Sequence, residues 1–188
     1  MTVFFALAGA GVCCLSWREG VPLAAQAADK SAKEVKLQIL DWEATQKLIA
    51  SKKGKIVVVD AWSTSCIPCM KEFPNLVVLQ QAHQGDVACV SLNLDYIGLK
   101  AKPPEYYRER VLKFLTEKEA AFDNILSSVE SDVMFEKLEI PSIPAVFVYD
   151  RSGKLVKTFD NSDASTDEEG FTYKDVTALV EKLLKQSK

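Results

Sequence analysis

An α/β sandwich with parallel central strands is the fold class the sequence predicts, and three observations carry it. Strand-like and helix-like stretches alternate along the chain, a pattern that packs helices onto a parallel sheet. Ile56-Val57-Val58-Val59-Asp60-Ala61 is an apolar, β-branched run broken only at Asp60, as expected of a central strand covered on both faces. Near the C-terminal end, Asp150-Arg151-Ser152-Gly153 reads as a tight hairpin turn between two short strands. That hairpin adds antiparallel strands at one side of the sheet.

Taken in order, residues 35–40 are the first strand candidate. Asp41 stands where its carboxylate can cap a helix, and Trp42, Thr45, Leu48 and Ile49 then share one helical face. Lys52-Lys53-Gly54 ends that helix, with Gly54 free to take a left-handed conformation. The strand over 56–61 is followed by a helix over about 66–81, in which Pro74 predicts a kink. Residues 86–93, with Cys89 among them, form another buried strand, and 95–104 read as a loop. Pro103-Pro104 opens a helix through Tyr107, Val111, Leu112 and Leu115. A short strand at 124–127 and a short helix capped by Ser131 or Asp132 come next. Ile140-Pro141-Ser142-Ile143-Pro144 is a rigid loop before strands at 145–149 and 154–159. Residues 161–170 are polar and acidic, a surface loop, and the last helix spans about 174–185 with Val176, Leu179, Val180, Leu183 and Leu184 on one face.

Composition bounds what the chain can be. With 48% apolar and 26% charged residues, it has the makeup of a globular domain. A formal charge of −3 and the lack of a basic patch argue against nucleic-acid binding. No apolar run reaches the ~18 residues that span a bilayer. The N-terminal stretch differs from the rest. Residues 3–15 are apolar and rich in small side chains, and Ala25-Gln26-Ala27 fits the small-x-small pattern ahead of a signal-peptidase cut. The expected organisation is a signal peptide over 1–27, a linker over 28–34 and one domain over 35–188; a disordered or helical N-terminal extension is the alternative. Export to the periplasm or cell envelope follows from the first of these. Of five cysteines, Cys13 and Cys14 would leave with the signal, so Cys66, Cys69 and Cys89 remain. One C-x-x-C pair and one odd thiol are too few to staple a fold, so apolar packing must hold it.

The chemistry concentrates at Cys66-Ile67-Pro68-Cys69. Two thiols at this spacing at a helix start can meet as a disulfide, and the helix N-terminus favours a thiolate. Half of a zinc site would need two further ligands, and only Cys89 and His83 remain for that. A haem attachment motif would need His where Met70 stands. Ile67 and Pro68 supply no positive charge beside Cys66, which argues for a reductant rather than an oxidant. Asp60 ends an apolar strand, where burial should raise its pKa and suit it to exchange a proton with Cys69. A loop-capping role just outside the core is the alternative for Asp60.

The run Val59-Asp60-Ala61-Trp62-Ser63-Thr64-Ser65-Cys66-Ile67-Pro68-Cys69-Met70-Lys71-Glu72-Phe73-Pro74, with Ile143-Pro144-Ala145-Val146-Phe147-Val148-Tyr149-Asp150 and Gly153 downstream, resembles the thioredoxin-fold family. Within it the chain is similar to the exported thiol-disulfide oxidoreductases of cytochrome c maturation, the TlpA/ResA-like subgroup. The resemblance covers roughly residues 36–185. It implies a thioredoxin-like three-layer α/β/α sandwich with a mixed sheet, and a helix-strand insertion over about 103–131. It implies an enzyme that reduces protein disulfides, with Cys66 as exposed nucleophile and Cys69 as covered resolving thiol. It also implies Asp60 as the buried acid, Glu72 as a carboxylate near the thiols, and Pro144 as a cis-proline facing Cys66. Ile143 would then offer its backbone to an extended substrate, with Trp62, Ile67 and Pro68 completing the substrate-binding surface. No cofactor and no metal is expected. The expected partners are a protein disulfide substrate and an upstream dithiol electron donor, for which a membrane-embedded protein is a candidate; a monomer is expected. Ser65 departs from the Trp usual before the first cysteine.

Two related chemistries serve as alternatives. A peroxiredoxin-like peroxide reductase would need Thr and Pro at positions held by Ser63 and Val59. A thioredoxin-like metal-delivery or binding module usually has a three-residue spacer and a distal His, whereas here the spacer is two residues and His83 is the only histidine.

Overall fold

The computed structural model describes residues 1–3, 34–161 and 170–186. The expected signal peptide past residue 3 and its cut, nearly all of the linker, and most of the acidic loop lie outside the described residues. The chain divides into Met1–Ala32 and Lys33–Lys188, and the second unit carries all the elements that follow.

Those elements are β1 (Gln38–Leu40), α1 (Trp42–Ser51), β2 (Ile56–Trp62), α2 (Ile67–Ala82), β3 (Val87–Asn93) and α3 (Pro104–Glu117). They continue with β4 (Asp123–Ser127), α4 (Ser131–Leu138), β5 (Ala145–Tyr149), β6 (Leu155–Phe159) and α5 (Tyr173–Gln186). One six-stranded sheet runs in the order β1-β4-β3-β2-β5-β6. The first four strands pair parallel, whereas β5 pairs antiparallel with β2 and with β6. The mixed sheet is the one predicted. The strand of the expected insertion, β4, lies inside the sheet, between β1 and β3.

Period-2 alternation along β2 sorts the two faces. Ile56, Val58 and Trp62 point into a core shared with Cys69, Phe73 and Leu76 of α2, Val111 and Leu115 of α3, and Val176 and Val180 of α5. Val57, Val59 and Ala61 point the other way, toward Ile49 of α1 and Met134 and Leu138 of α4. Every residue of β2 and β3 is buried. That is why both strands read as largely apolar runs, interrupted by Asp60 in β2 and by Ser91 and Asn93 in β3.

Some local signals act where the sequence placed them; the cap of α4 does not, for its N-cap is Glu130, without a side-chain cap hydrogen bond, rather than Ser131 or Asp132. Asp41 caps α1 by accepting from the Ala44 N–H at 2.8 Å, and Gly54 takes φ +92°. α2 runs unbroken through Pro74. β1 is shorter than expected, three residues rather than six.

Phe73 is the aromatic hinge of the first core. It is 0% exposed, with ring centroids 4.9 Å from Trp62, 5.3 Å from Phe114 and 6.4 Å from Phe122. Phe73→Ala is expected to lower stability by about 3–5 kcal/mol, read from urea unfolding of the oxidised protein.

Candidate active site

β2 delivers the chain to the site, the loop Ser63–Ser65 turns it, and α2 begins. Cys66 is the N-cap of α2 and half-buried; Cys69 lies one turn in and is 2% exposed. The two are joined as a disulfide, with an S–S distance of 2.01 Å. The Cys69 backbone N–H points at Cys66 Sγ, 3.2 Å away. When the bond is reduced, that amide and the positive end of the helix favour a thiolate on Cys66 rather than on Cys69.

Across from the disulfide, the Ile143–Pro144 peptide is cis, as the resemblance implied. The Ile143 carbonyl oxygen stands 3.8 Å from Cys66 Sγ. Ile67 is 76% exposed beside the nucleophile, Pro68 and Ile143 are half-exposed, and Pro144 is buried behind them. Trp62 needs correction as a substrate-binding residue. It is 0% exposed, packs on Phe73 and Phe114, and donates its indole N–H to Ser91 Oγ at 3.1 Å. A fully covered ring cannot touch a substrate, so Trp62 supports the site from within the core.

Asp60 shares the sheet face of Val58 and Trp62, toward the layer of α2 and α5, and is 3% exposed. It is therefore a buried acid and not a loop cap. Burial pushes its carboxyl up to about 7; the Tyr173 hydroxyl, which donates to Oδ2, holds it down, and the Glu72 charge adds to the rise. Glu72 is half-buried and accepts from Asn75 Nδ2 at 3.0 Å. Cys89, opposite Val58 on β3, is buried; burial and then the Asp60 charge push its thiol up, so it stays a neutral core side chain.

A second buried carboxylate was not foreseen as part of the site. Asp95 follows β3 and organises the loop that presents Cys66. Its Oδ1 accepts from Ser63 Oγ at 2.7 Å, the Thr64 N–H at 2.8 Å and Asn93 Nδ2 at 3.2 Å. Its Oδ2 accepts from Thr64 Oγ1 at 2.6 Å and from Arg110 Nε at 2.8 Å. Burial would push this carboxyl up, but the hydrogen bonds from Thr64 and Ser63 and the Arg110 charge together hold it below the usual carboxylate range. Ser63 Oγ in turn lies 2.8 Å from Ser65 Oγ and accepts the Ser65 N–H at 3.1 Å. The Ser65 side that departs from the family pattern is thus an exposed member of this network. Arg110 belongs to α3, so the insertion reaches the active-site loop. Tyr173 was missed as well, since its neighbours in sequence reveal only the start of a helix.

Among the described residues, no group of three or more Cys, His, Asp or Glu side chains is placed to hold a metal ion. The arrangement that is present suits thiol–disulfide exchange: a half-exposed sulfur at a helix start, a covered second sulfur, and a neutralisable acid in the layer beneath.

No protein-family profile matches the chain. Two curated bacterial proteins are similar to it over most of its length. Sporulation thiol-disulfide oxidoreductase A of Bacillus subtilis is 24% identical over 159 residues, 84% of this chain and 87% of that protein. The thiol:disulfide interchange protein HelX of Rhodobacter capsulatus is 24% identical over 156 residues, 83% of this chain and 81% of that protein. Among solved structures, a DsbF homologue from Corynebacterium diphtheriae superposes with a TM-score of 0.55 at 20% identity, covering 72% of this chain and 76% of that one. A thioredoxin-like protein solved in its oxidised form superposes with a TM-score of 0.56 at 16% identity, covering 82% of this chain and 87% of that one, and bears out the thioredoxin-like fold; the two named relatives bear out the resemblance to thiol-disulfide oxidoreductases.

Proposed function

We propose that the protein is an exported thiol-disulfide oxidoreductase that reduces protein disulfides through Cys66 and Cys69. The single observation that carries this is the paired sulfurs at the start of α2, one half-exposed and one buried, above the acid Asp60. The Cys66 thiolate attacks a substrate disulfide, forms a Cys66–substrate S–S bond, and expels the other substrate sulfur as a thiolate that takes a proton from water. Cys69 then gives its thiol proton to the Asp60 carboxylate, and its sulfur attacks Cys66 Sγ. The Cys66–Cys69 bond forms, the second substrate sulfur leaves as a thiolate, and two electrons have passed to the substrate. An upstream dithiol reverses the exchange to restore the reduced protein.

The Ile143 carbonyl, 3.8 Å from Cys66 Sγ, gives an extended substrate segment a backbone to run along. Exposed Ile67 and half-exposed Pro68 supply the apolar contact beside it. Their lack of charge supports the reducing direction. Glu72 tunes the site through Asp60, on which its charge acts. The Ala25-Gln26-Ala27 pattern supports export to the periplasm or cell envelope, and the resemblance of residues 59–74 and 143–153 to the TlpA/ResA-like subgroup supports a place in cytochrome c maturation. Among the described residues no helix is long and apolar enough to cross a membrane. The protein works as a monomer, takes electrons from a partner dithiol and needs no cofactor.

Reduction of insulin disulfides driven by dithiothreitol tests the function. The protein is expected to accelerate precipitation of the insulin chains, Cys66→Ser to abolish that acceleration, and Cys69→Ser to accumulate a mixed disulfide visible as added mass. Activity that survives Cys66→Ser would contradict the proposal.

A further inference from the structure

The exchange proposed above leaves one buried contact at the site without a role, the hydrogen bond from Tyr173 to Asp60. Tyr173 is the first residue of α5, is 4% exposed, and meets Asp60 across 113 positions of sequence. We propose that Tyr173 is a positioning residue for proton exchange at Cys69: its hydroxyl occupies Asp60 Oδ2, leaves Oδ1 to receive the thiol proton, and stabilises the carboxylate until that proton arrives. This rests on Asp60 being the proton acceptor for Cys69.

Geometry and chemistry support the assignment. Asp60 lies on the sheet face covered by α2 and α5, so Cys69 and Tyr173 belong to the same buried layer. A carboxylate accepts at two oxygens, and a fixed donor on one orients the other. Burial, followed by the Asp60 charge, pushes the Tyr173 phenol well above its usual range, so Tyr173 remains a donor and cannot itself take the proton. The titratable groups that act on Asp60 or feel its charge are Tyr173 from α5, Glu72 from α2 and Cys89 from β3; the neighbouring strands set Ser91 and Val146 beside it. Of these, Tyr173 is the one that donates a hydrogen bond to the carboxylate. Glu72 and burial both favour the protonated acid. Without the hydroxyl, Asp60 keeps its proton to higher pH and is a poorer acceptor near neutrality.

The test compares the oxidised protein with Tyr173→Phe, following the Asp60 side-chain carboxyl by carbon-13 NMR as pH is raised. The midpoint is expected to rise by about one pH unit in the variant. The acid limb of the insulin-reduction pH profile is expected to move with it, with the alkaline rate retained. An Asp60 midpoint and a pH profile that both stay in place would overturn the proposal. A second measurement needs no variant: the Tyr173 ring signals of the unmodified protein are expected to follow the Asp60 titration with the same midpoint, and a ring blind to that titration would overturn it. The NMR readouts do not depend on turnover. An unmodified protein that fails to reduce insulin contradicts the proposed function, whereas an unmoved Asp60 midpoint contradicts the role of Tyr173.

Discussion

Asp60→Asn is expected to slow disulfide reduction about 10²-fold near pH 8 while making the folded protein more stable. The two effects have one cause. General-base help at a reacting group is worth on the order of 10²–10⁴ in rate, and an amide cannot take the Cys69 proton. The wild-type rate should rise as pH passes through about 7, where Asp60 ionises, and the variant should lack that rise. Stability moves the other way. The carboxyl ionises near 3.8 in the unfolded chain and near 7 in the folded one. Between those values the folded state holds a proton that the unfolded state has lost, so stability is fully present below about 3.8, declines as pH rises, and levels off above about 7. At 1.36 kcal/mol per pH unit, the loss above neutrality approaches about 4 kcal/mol. Asn is neutral throughout and keeps an oxygen to accept from Tyr173. The variant is therefore expected to gain about 2–4 kcal/mol at pH 8 and little at pH 4, read from urea unfolding at both. Equal reduction rates for the two proteins would show that Asp60 is not used as a base, and a stability gain independent of pH would show that its carboxyl does not change its titration on folding.

Asp95→Ala is expected to cost about 3–5 kcal/mol of stability. The carboxylate is fully covered, so its hydrogen bonds are made away from water. Ala would leave the Ser63 hydroxyl, the Thr64 N–H and hydroxyl, and the Arg110 guanidinium without their acceptor. Arg110 is about half exposed and can turn to solvent, so most of the loss falls on the loop donors. That loop presents Cys66, so reduction should slow even at temperatures where the variant remains folded. The pH dependence is opposite to that of Asp60. The folded carboxyl titrates below its ordinary value, so its contribution is present above about 3.8 and is lost as pH falls through the folded midpoint. The stability gap between wild type and Asp95→Ala should therefore narrow in acid, as measured by urea unfolding at pH 7 and pH 3.

The features legible in the sequence were those set by near neighbours or by period. β2 and β3 announced themselves because both faces are covered and no polar alternation is needed. Cys66 and Cys69 are three positions apart on one helical turn, and Asp60 stood out as a charge in an apolar strand. Trp62 was misassigned because an aromatic residue beside a reactive motif suits a surface or a core equally; its place on the β2 face of Ile56 and Val58 decides for the core. Tyr173, Asp95 and Arg110 were invisible for a different reason. Their partners lie 113, 31 and 15 positions away, and only the packing of α5, β3 and α3 against the sheet brings them together. Ser63 and Thr64 carry no local mark of their role, because the buried acceptor that orders them lies 32 and 31 positions away.

The reduction potential of the Cys66–Cys69 pair tests the central claim most directly, through equilibration with graded ratios of reduced and oxidised dithiothreitol and quantification of free thiols. A dithiol that reduces protein disulfides, with uncharged Ile67 and Pro68 between its sulfurs, is expected at about −250 mV or below, near the range of thioredoxin. A value near about −120 mV, where a protein disulfide acts as a strong oxidant, would contradict it.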